Sequence, residues 1–451
     1  MATFGHSNLK VVPLEYTGSQ FDLYNKISRD FDYTFLYESL TGPEELSETS
    51  LIGFDPSIIV KGYSDRVVLH YKNGSTVTIQ TTDPLSEVKK LLYQVPDQKY
   101  RYVGGAVGII NYDAIRLWEK IPNSHTEDQS SLMEFGIYTD GILYDNKERK
   151  LFYFFYDKSR AEKLSSAATT FGKFSISTIS ENLDHNKFDD MVKRAKKYIH
   201  DGDIFQVVLS RKFNFSAEGD FLKVYKTLRQ INPSPYLYHM KLGNRTIIGS
   251  SPEMLLRITG NVVETFPIAG TRPITHDEER NAVLKEEMLH DEKELAEHTM
   301  LVDLGRNDIG RVCKYGSVYV KELMAVKRFS HVQHMVTHVV GNLDKKYNMF
   351  DAIKAVFPAG TVSGAPKIRA MEIIDDLEPN ARGSYAGAIG YFSFNGCCDF
   401  AIGIRTIFMD GKKGFVQAGA GIVSDSVAEN EWMEIQHKAN AMISALKEAS
   451  K

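Results

Sequence analysis

Two short stretches set acidic residues at helical spacing beside apolar ones. "DEKELAEHTMLVDLGRND" (291–308) carries Glu294 and Glu297, and "ENEWMEIQHKA" (429–439) carries Glu431 and Glu434. Residues three apart on a helix share a face, about 4.5 Å apart along the axis. In the second stretch Trp432, Ile435, Ala439, Met442, Ile443 and Leu446 make an apolar stripe, bordered by Glu431, Glu434 and Lys438. In the first, Leu295, Val302 and Leu304 supply the apolar contacts. A solvated helix face is the plain reading of any one such pair. Here, however, both pairs border a stripe rather than oppose it. Only one cation, Lys438, follows at helical spacing. Like charges at a core border call for a cation. Carboxylates are hard oxygen donors that suit magnesium rather than zinc. Magnesium keeps waters and takes one or two carboxylates directly, so one glutamate of each helix is expected on the ion and the other on its waters. The rest of the shell is left to a substrate anion.

Other stretches offer further chemistry. "FPAGTVSGAPKIRAMEIIDDLEP" (357–379) reads as a loop entering a helix, with Ser363 as its cap, Pro366 in its first turn and Glu378-Pro379 at its end. Its free N–H groups and Lys367 suit an anion, although the spacing is not that of a P-loop; a tight turn packing a helix on a sheet is the alternative. "QAGAGIV" (417–423) puts Gly419 and Gly421 at a strand end, where a ligand can approach the backbone. In "SHVQHMVTHVVG" a strand leaves only His334 and His338 of the three histidines on one face, roughly 13 Å apart, too far for one metal. One of them can serve as an acid or base, or all three are structural. "SSPEMLL" (250–256) sets Glu253 in an apolar hairpin, as a paired charge or as an acid of raised pKa.

The elements that must position these residues are hairpins and helices. Asn73-Gly74 divides two alternating runs over 65–80, and 141–157 reads as a second hairpin. The polar stretch 157–188 is the best boundary, giving an N-terminal regulatory or structural region (1–184) and a catalytic region (185–451). The stretch 188–203 is expected to be an amphipathic helix ending before Gly202. A hairpin turns at Thr259-Gly260-Asn261, and 389–423 gives three runs broken at Asn395-Gly396 and Asp410-Gly411. Thr275 with Glu278 and Ser426 with Glu429 read as capping boxes. Hairpins separated by helices imply an α+β fold with antiparallel sheets and helices outside them. The chain has 451 residues, 43% of them hydrophobic, and a net charge of -4, which points to neither nucleic acid nor an acidic tail. No apolar run nears the roughly 18 residues of a membrane span, and the start lacks a signal-peptide build. Three cysteines, Cys313, Cys397 and Cys398, without paired spacing fit a reduced, cytoplasmic protein.

Taken together, these segments resemble the chorismate-utilising enzymes, and among them the large subunits of anthranilate synthases. The match runs from about Phe188 to Leu446. It includes "DIFQVVLSRKF" (203–213), "NPSPYLYHM" (232–240), "SSPEMLL", "FPIAGTRP" (266–273), both glutamate stretches, "FPAGTVSGAPK", "RGSYAGAIGYF" (382–392), "IGIRT" (402–406) and "QAGAGIVSDS". The N-terminal part matches chiefly through "FLYES" (35–39). Ala428 departs from the proline usual before the glutamate. The resemblance implies two antiparallel sheets packed across each other with helices outside. It implies Glu297 and Glu434 as direct magnesium ligands, Glu294 and Glu431 in the outer shell, and an ion holding the ring carboxylate of chorismate. Gly270, Thr271, Thr361, Tyr385, Arg405, Lys438 and the backbone of Gly419, Ala420 and Gly421 would hold substrate, with Arg405 and Tyr385 at the enolpyruvyl carboxylate.

Members of that family differ in nucleophile. Water-using members carry lysine where Gln206 stands, and those stopping at 4-amino-4-deoxychorismate generally carry lysine where Ala269 stands. Gln206 and Ala269 therefore imply ammonia addition at C2, departure of the C4 hydroxyl with Glu253 as acid, and elimination associated with His334, giving anthranilate. Aminodeoxychorismate synthesis is the alternative within the family; a non-catalytic magnesium-binding regulatory module is the alternative outside it. No cysteine here stands in the sharp Gly-rich turn of a glutaminase, so a separate glutamine amidotransferase subunit is expected to supply ammonia. The resemblance also implies an L-tryptophan inhibitor site made by Glu38, Ser39, Pro235, Tyr236, Leu237, Ile389 and Tyr391.

Overall fold

Gly74 adopts φ +87° and Gly411 φ +56°, the left-handed turn positions that the Asn-Gly and Asp-Gly pairs promised. Each closes a hairpin: Arg66–Tyr71 pairs with Thr76–Gln80, and Thr406–Asp410 with Lys413–Ile422. The hairpin at 141–157 is Asp140–Asp145 against Lys150–Phe155. The structure, a computed structural model, describes residues 9–41, 48–96, 98–125, 130–164, 170–329 and 332–451. His331 and part of the polar stretch, 165–169, lie outside them.

The described residues build a 13-stranded sheet and a 12-stranded sheet, with antiparallel pairing throughout, as the α+β reading expects. One apolar core lies between the sheets, with Phe35, Tyr238, Phe135 and Phe392 in it. A second fills the outer face of the first sheet beneath the helices Gln20–Asp30, His185–His200, Phe221–Ile231, Lys367–Leu377 and Ala428–Ala449. The first of these helices was not foreseen in a segment that reads mostly as strands; its Ser19–Asp22 capping box fixes its start.

The strand order is palindromic. In the first sheet Tyr33–Glu38 lies beside Tyr236–Leu242, and moving outward from that seam the strands match: Thr49–Phe54 with Arg245–Ser251, Asp140–Asp145 with Thr406–Asp410, Lys150–Phe155 with Lys413–Ile422. In the second sheet Gly105–Ile110 meets Ala388–Ser393 at the seam, and the same matching continues outward. Both sheets thus draw strands from either side of residue 184.

The hairpin at Thr259-Gly260-Asn261 forms, but two runs expected to be continuous turn corners between the sheets. Arg245–Ser251 belongs to the first sheet and Met254–Thr259 to the second, so Pro252-Glu253 carries the chain between sheets rather than lying in a hairpin. The run expected over 397–410 is likewise two strands, Cys398–Ile402 in the second sheet and Thr406–Asp410 in the first, joined through Gly403–Arg405. The corners bond to each other: Ser250 N–H donates to Arg405 O and Ile402 N–H to Glu253 O, both at 3.0 Å. Arg405 takes φ +52° to make the turn. Neither capping box forms. Asp277 caps Glu278–Leu289 while Thr275 bonds Asn281, and Ala428–Ala449 has no side-chain cap because Ser426 Oγ accepts from Val423 N–H.

Close packing at the second seam yields a test. A Cβ on Gly108 would lie 1.9 Å from the backbone oxygen of Glu134, which cannot move without breaking the strand pairing. Gly108→Ala is expected to lower unfolding stability by about 3 kcal/mol or more, read as a drop in the urea midpoint.

Candidate functional site

The two sheet corners place Glu253 and Arg405 side by side. Glu253 is 7% exposed, and burial pushes its carboxyl pKa up to about 8, with Thr361, the Ile268 N–H and the charge of Lys438 offsetting part of the rise. A carboxyl of that kind carries a proton at neutral pH and can give it away. Burial pulls the Arg405 guanidinium down from its usual range, while Tyr385 and Glu434 favour its charge. Its Nη1 donates to Lys438 O at 3.1 Å, and it has no carboxylate partner among the described residues. A half-buried guanidinium left without a carboxylate is a place for a substrate's carboxylate.

The glycine strand lies next to both corners. A Cβ on Gly419 would come 2.9 Å from the Tyr385 hydroxyl, and one on Gly421 would come 2.3 Å from Gln206 Nε2. Bare backbone there leaves room for Tyr385 and Gln206 to face the site. Ala420 alternates to the opposite, helix-covered face, so only its backbone is available. Lys438 Nζ reaches Gly419 O at 3.1 Å and Glu434 at 2.5 Å.

The glutamate pairs come from the helices Glu292–Gly310 and Ala428–Ala449. Burial raises the pKa of Glu297, and the like charges of Glu294 and Glu434 add to it; Glu431 is raised by burial and by Glu434. The two helices therefore feel each other's carboxylates across the site. Each pair draws on cations or donors that sequence spacing did not reveal. Arg272, on a neighbouring strand, binds Glu294 at 3.0 Å; Gln206 Nε2 donates to Glu297 Oε1 at 2.8 Å; the charge of Lys293, which bonds Asp425 at 3.1 Å, also favours the ionised form of Glu431. Among the described residues no three acidic, histidine or cysteine groups stand at metal-binding distance. The donor set, four carboxylates on two helices facing one site, fits a divalent hard cation by charge and ligand type.

His334 lies in the strand Val332–Asn342, and its Nδ1 is 3.0 Å from Gly270 O. A carbonyl only accepts, so the proton sits on Nδ1 and Nε2 is left with a lone pair. Burial and the charges of Arg405 and Lys438 pull its pKa down to about 4, so the ring is neutral. Gly270, at φ +65°, sits against Glu294, and Thr271 Oγ1 is 3.1 Å from the same histidine nitrogen. His338 belongs elsewhere: it pairs with Glu264 at 2.9 Å.

Three expectations change. Lys367 is no free anion ligand, because Nζ is held by Asp308 at 2.5 Å and Val356 O at 2.9 Å. Ser363 bonds back to Ala359 O instead of capping the next helix. Of the inhibitor-site residues, Ser39, Pro235, Tyr236 and Tyr391 line one narrow pocket. Glu38 touches that pocket, yet its carboxylate turns to the helix-covered face, accepting from Tyr225 at 2.6 Å and Arg229 at 2.7 Å. Leu237 packs on that same far face. Ile389 lies behind the pocket, its carbonyl taking a 3.5 Å bond from Tyr37. The pocket also contains Arg101, Arg257 and Asp399, scattered polar residues without motif spacing; Arg257 pairs with Asp399 at 2.7 Å.

A family model described as chorismate binding enzyme matches residues 32–444. The chain is 44% identical over 433 residues to anthranilate synthase component 1 of Methanothermobacter thermautotrophicus, covering 94% of this chain and 92% of the relative. It is 42% identical to the protein of that name from Saccharolobus solfataricus, over 97% of this chain and 99% of the relative. The crystal structure of anthranilate synthase component I from Streptococcus pneumoniae aligns with a TM-score of 0.78 at 37% identity, covering 88% of this chain and 92% of that one. The resemblance read from the motifs is borne out.

Glu253 also yields a pH test. Its folded-state pKa is raised, so its proton is kept on folding and lost on unfolding between its ordinary value of 4.5 and about 8. This group therefore disfavours folding increasingly as pH rises across that window, on the order of 3–5 kcal/mol when complete. Glu253→Gln should flatten the fall in melting temperature of the wild type between pH 5 and 8.5, as calorimetry at stepped pH would record.

Proposed function

Since the chain belongs to the chorismate-binding enzyme family, we propose that it converts chorismate and ammonia to anthranilate and pyruvate, as the large subunit of an anthranilate synthase. The observation that carries this reading is that two backbone-linked corners hold a protonated buried Glu253 and a half-buried guanidinium, Arg405, that lacks a carboxylate partner among the described residues. Chorismate offers groups that need both: a C4 hydroxyl that leaves only when protonated, and an enolpyruvyl carboxylate for Arg405 and Tyr385 to hold.

Gln206 supports ammonia as the nucleophile. Its Nε2 is committed to Glu297, while Oε1 is buried with no partner among the described residues. An acceptor without a donor suits an N–H of ammonia and does nothing to deprotonate water. Ammonia adds at C2, the double bonds shift, and the C4 oxygen leaves as water with the proton of Glu253. The C2 proton is then lost and the enolpyruvyl group departs as pyruvate, giving the aromatic ring. His334, neutral with a free Nε2, is the base suited to that proton. Magnesium, when bound, would supply positive charge for the ring carboxylate, and Glu297 and Glu434 would hold it directly with Glu294 and Glu431 behind them.

The chain's own thiols are poor candidates for glutamine hydrolysis. All three cysteines are buried, and burial pushes Cys313 up to about 11 and Cys398 well above the ordinary range. Ammonia therefore comes from a separate amidotransferase subunit. Among the described residues no helix is long and apolar enough to cross a membrane.

L-Tryptophan is proposed as the inhibitor at the pocket of Ser39, Pro235, Tyr236 and Tyr391. The Ser39 hydroxyl is buried there with no partner among the described residues. Because the Glu38 carboxylate faces away, the amino acid's charges are left to Asp399, Arg101 and Arg257. The strands bearing Arg257 and Asp399 run directly to the corners of Glu253 and Arg405, so occupancy of one site bears on the other through two shared strands.

The purified chain with chorismate, ammonium and magnesium should give fluorescent anthranilate; 4-amino-4-deoxychorismate as the product would overturn the reading. Glutamine should not replace ammonium. Chelation, or Glu434→Gln, should lower turnover at least about 100-fold without changing the circular dichroism spectrum. Inhibition by L-tryptophan should be relieved by excess chorismate and abolished in Ser39→Phe with activity retained; unchanged inhibition in that variant would remove the pocket from consideration.

A further inference from the structure

Arg382 is among the largest fully buried side chains of the protein, 1% exposed, and touches none of the groups assigned to substrate through a polar atom. Burying a guanidinium is costly unless every donor is used and a counter-charge is present. Arg382 has the counter-charge and uses four of its five N–H donors. Nε and Nη2 form a fork on Glu378 at 2.9 and 2.7 Å, Nη1 donates to Val362 O at 2.6 Å, and Nη2 also donates to Val208 O at 2.8 Å. Its plane lies over the rings of Tyr112 at 4.8 Å and Tyr385 at 5.5 Å.

The partners lie under the site. Val362 follows Thr361, which faces Glu253; Val208 lies two residues after Gln206, on the same face of its strand; Tyr385 points at Gly419. Glu378 extends the set by accepting from Ser210 N–H at 2.9 Å and Ser210 Oγ at 2.7 Å, and Gln417 Nε2 donates to Ser210 Oγ at 2.8 Å. Ser210 stands opposite Gly419 in the strand register. One charge-balanced cluster thus ties together the loop of Thr361, the strand of Gln206, the ring of Tyr385 and the strand of Gly419.

We propose that Arg382 is a positioning residue for the reaction: its guanidinium sets the mutual placement of Thr361, Gln206 and Tyr385 around chorismate. The inference rests on the functional reading above. Lysine cannot replace it, because one ammonium cannot fork on Glu378 and reach two carbonyls on separate segments. A displacement of about 1 Å at such a site costs roughly 100-fold in rate.

The test compares Arg382→Lys with Leu377→Ala, a cavity variant in the helix-side core on the neighbouring helix end, in the full-length chain. Wild-type turnover of chorismate is measured first; its absence would overturn the functional reading and this inference with it. Both variants should lower the melting temperature. Only Arg382→Lys should lower kcat/KM for chorismate, by about 100-fold, raise KM, and move the alkaline limb of the kcat/KM profile to higher pH, because a displaced Thr361 no longer lowers the Glu253 pKa. Arg382→Lys with kcat/KM within about threefold of Leu377→Ala and an unmoved limb would overturn the proposal. If Arg382→Lys does not fold, Ser210→Ala loosens the same cluster from its far side; a rise in KM of about fivefold or more supports the inference, and wild-type kinetics overturn it.

Discussion

Everything at the site follows from two chain segments that change sheets at the same place. Strands that cross between packed sheets must turn sharply, and a turn in an apolar interior leaves backbone groups to satisfy. Here the two turns satisfy each other, Ser250 to Arg405 and Ile402 to Glu253. That mutual pairing fixes the two corners that carry the Glu253 carboxyl and the Arg405 guanidinium. Arg405 accepts a left-handed backbone conformation to do so, the sort of local strain that persists only where surrounding structure over-determines it.

Around these corners the electrostatics are arranged by exclusion. Glu253 stays protonated because its surroundings are apolar and Lys438 offsets only part of the burial. The glutamate helices face one another with mutual repulsion, restrained by Arg272, Lys438 and the amide of Gln206. The Gln206–Glu297 bond joins the residue proposed for ammonia to one proposed for the metal, so the two halves of the chemistry share a hydrogen bond in this state. Acid, base and anion-binding groups therefore keep distinct protonation states within one small volume.

Much of the site was legible in the sequence because its residues stand in unbroken local patterns: helical pairs for Glu294/Glu297 and Glu431/Glu434, bare strand backbone at Gly419 and Gly421, tight turns at Asn73-Gly74 and Asp410-Gly411. What escaped depends on contacts distant in sequence. A strand that passes a corner between sheets keeps the apolar signature of a continuous run, so the corners at Glu253 and Arg405 left no mark of their own. Lys367 and Ser363 look like anion ligand and cap until Asp308 and Ala359 O occupy them. Glu38 and Leu237 alternate with Ser39 and Tyr236, and only the strand pairing reveals that they point to the opposite face. Arg382 opens the stretch "RGSYAGAIGYF", but nothing there distinguishes a buried arginine from an exposed one.

The palindromic strand order also fixes what the first half of the chain contributes to the second. Its corner between Thr49–Phe54 and Ile58–Gly62 matches the Glu253 corner and turns at Asp55, and its corner between Met133–Tyr138 and Asp140–Asp145 matches the Arg405 corner. There Arg160 spans Asp55 at 2.6 Å and Asp140 at 2.5 Å, with Tyr153 on the same carboxylate. The frame has two sockets, and one is stoppered from within by a side chain of its own chain. The stoppered half cannot be dispensed with, because its strands supply the inner neighbour at the seam of each sheet. Residues 185–451 alone would present two raw edges, at Tyr236–Leu242 and Ala388–Ser393, each a template for self-association. The silent socket persists as the working one's buttress.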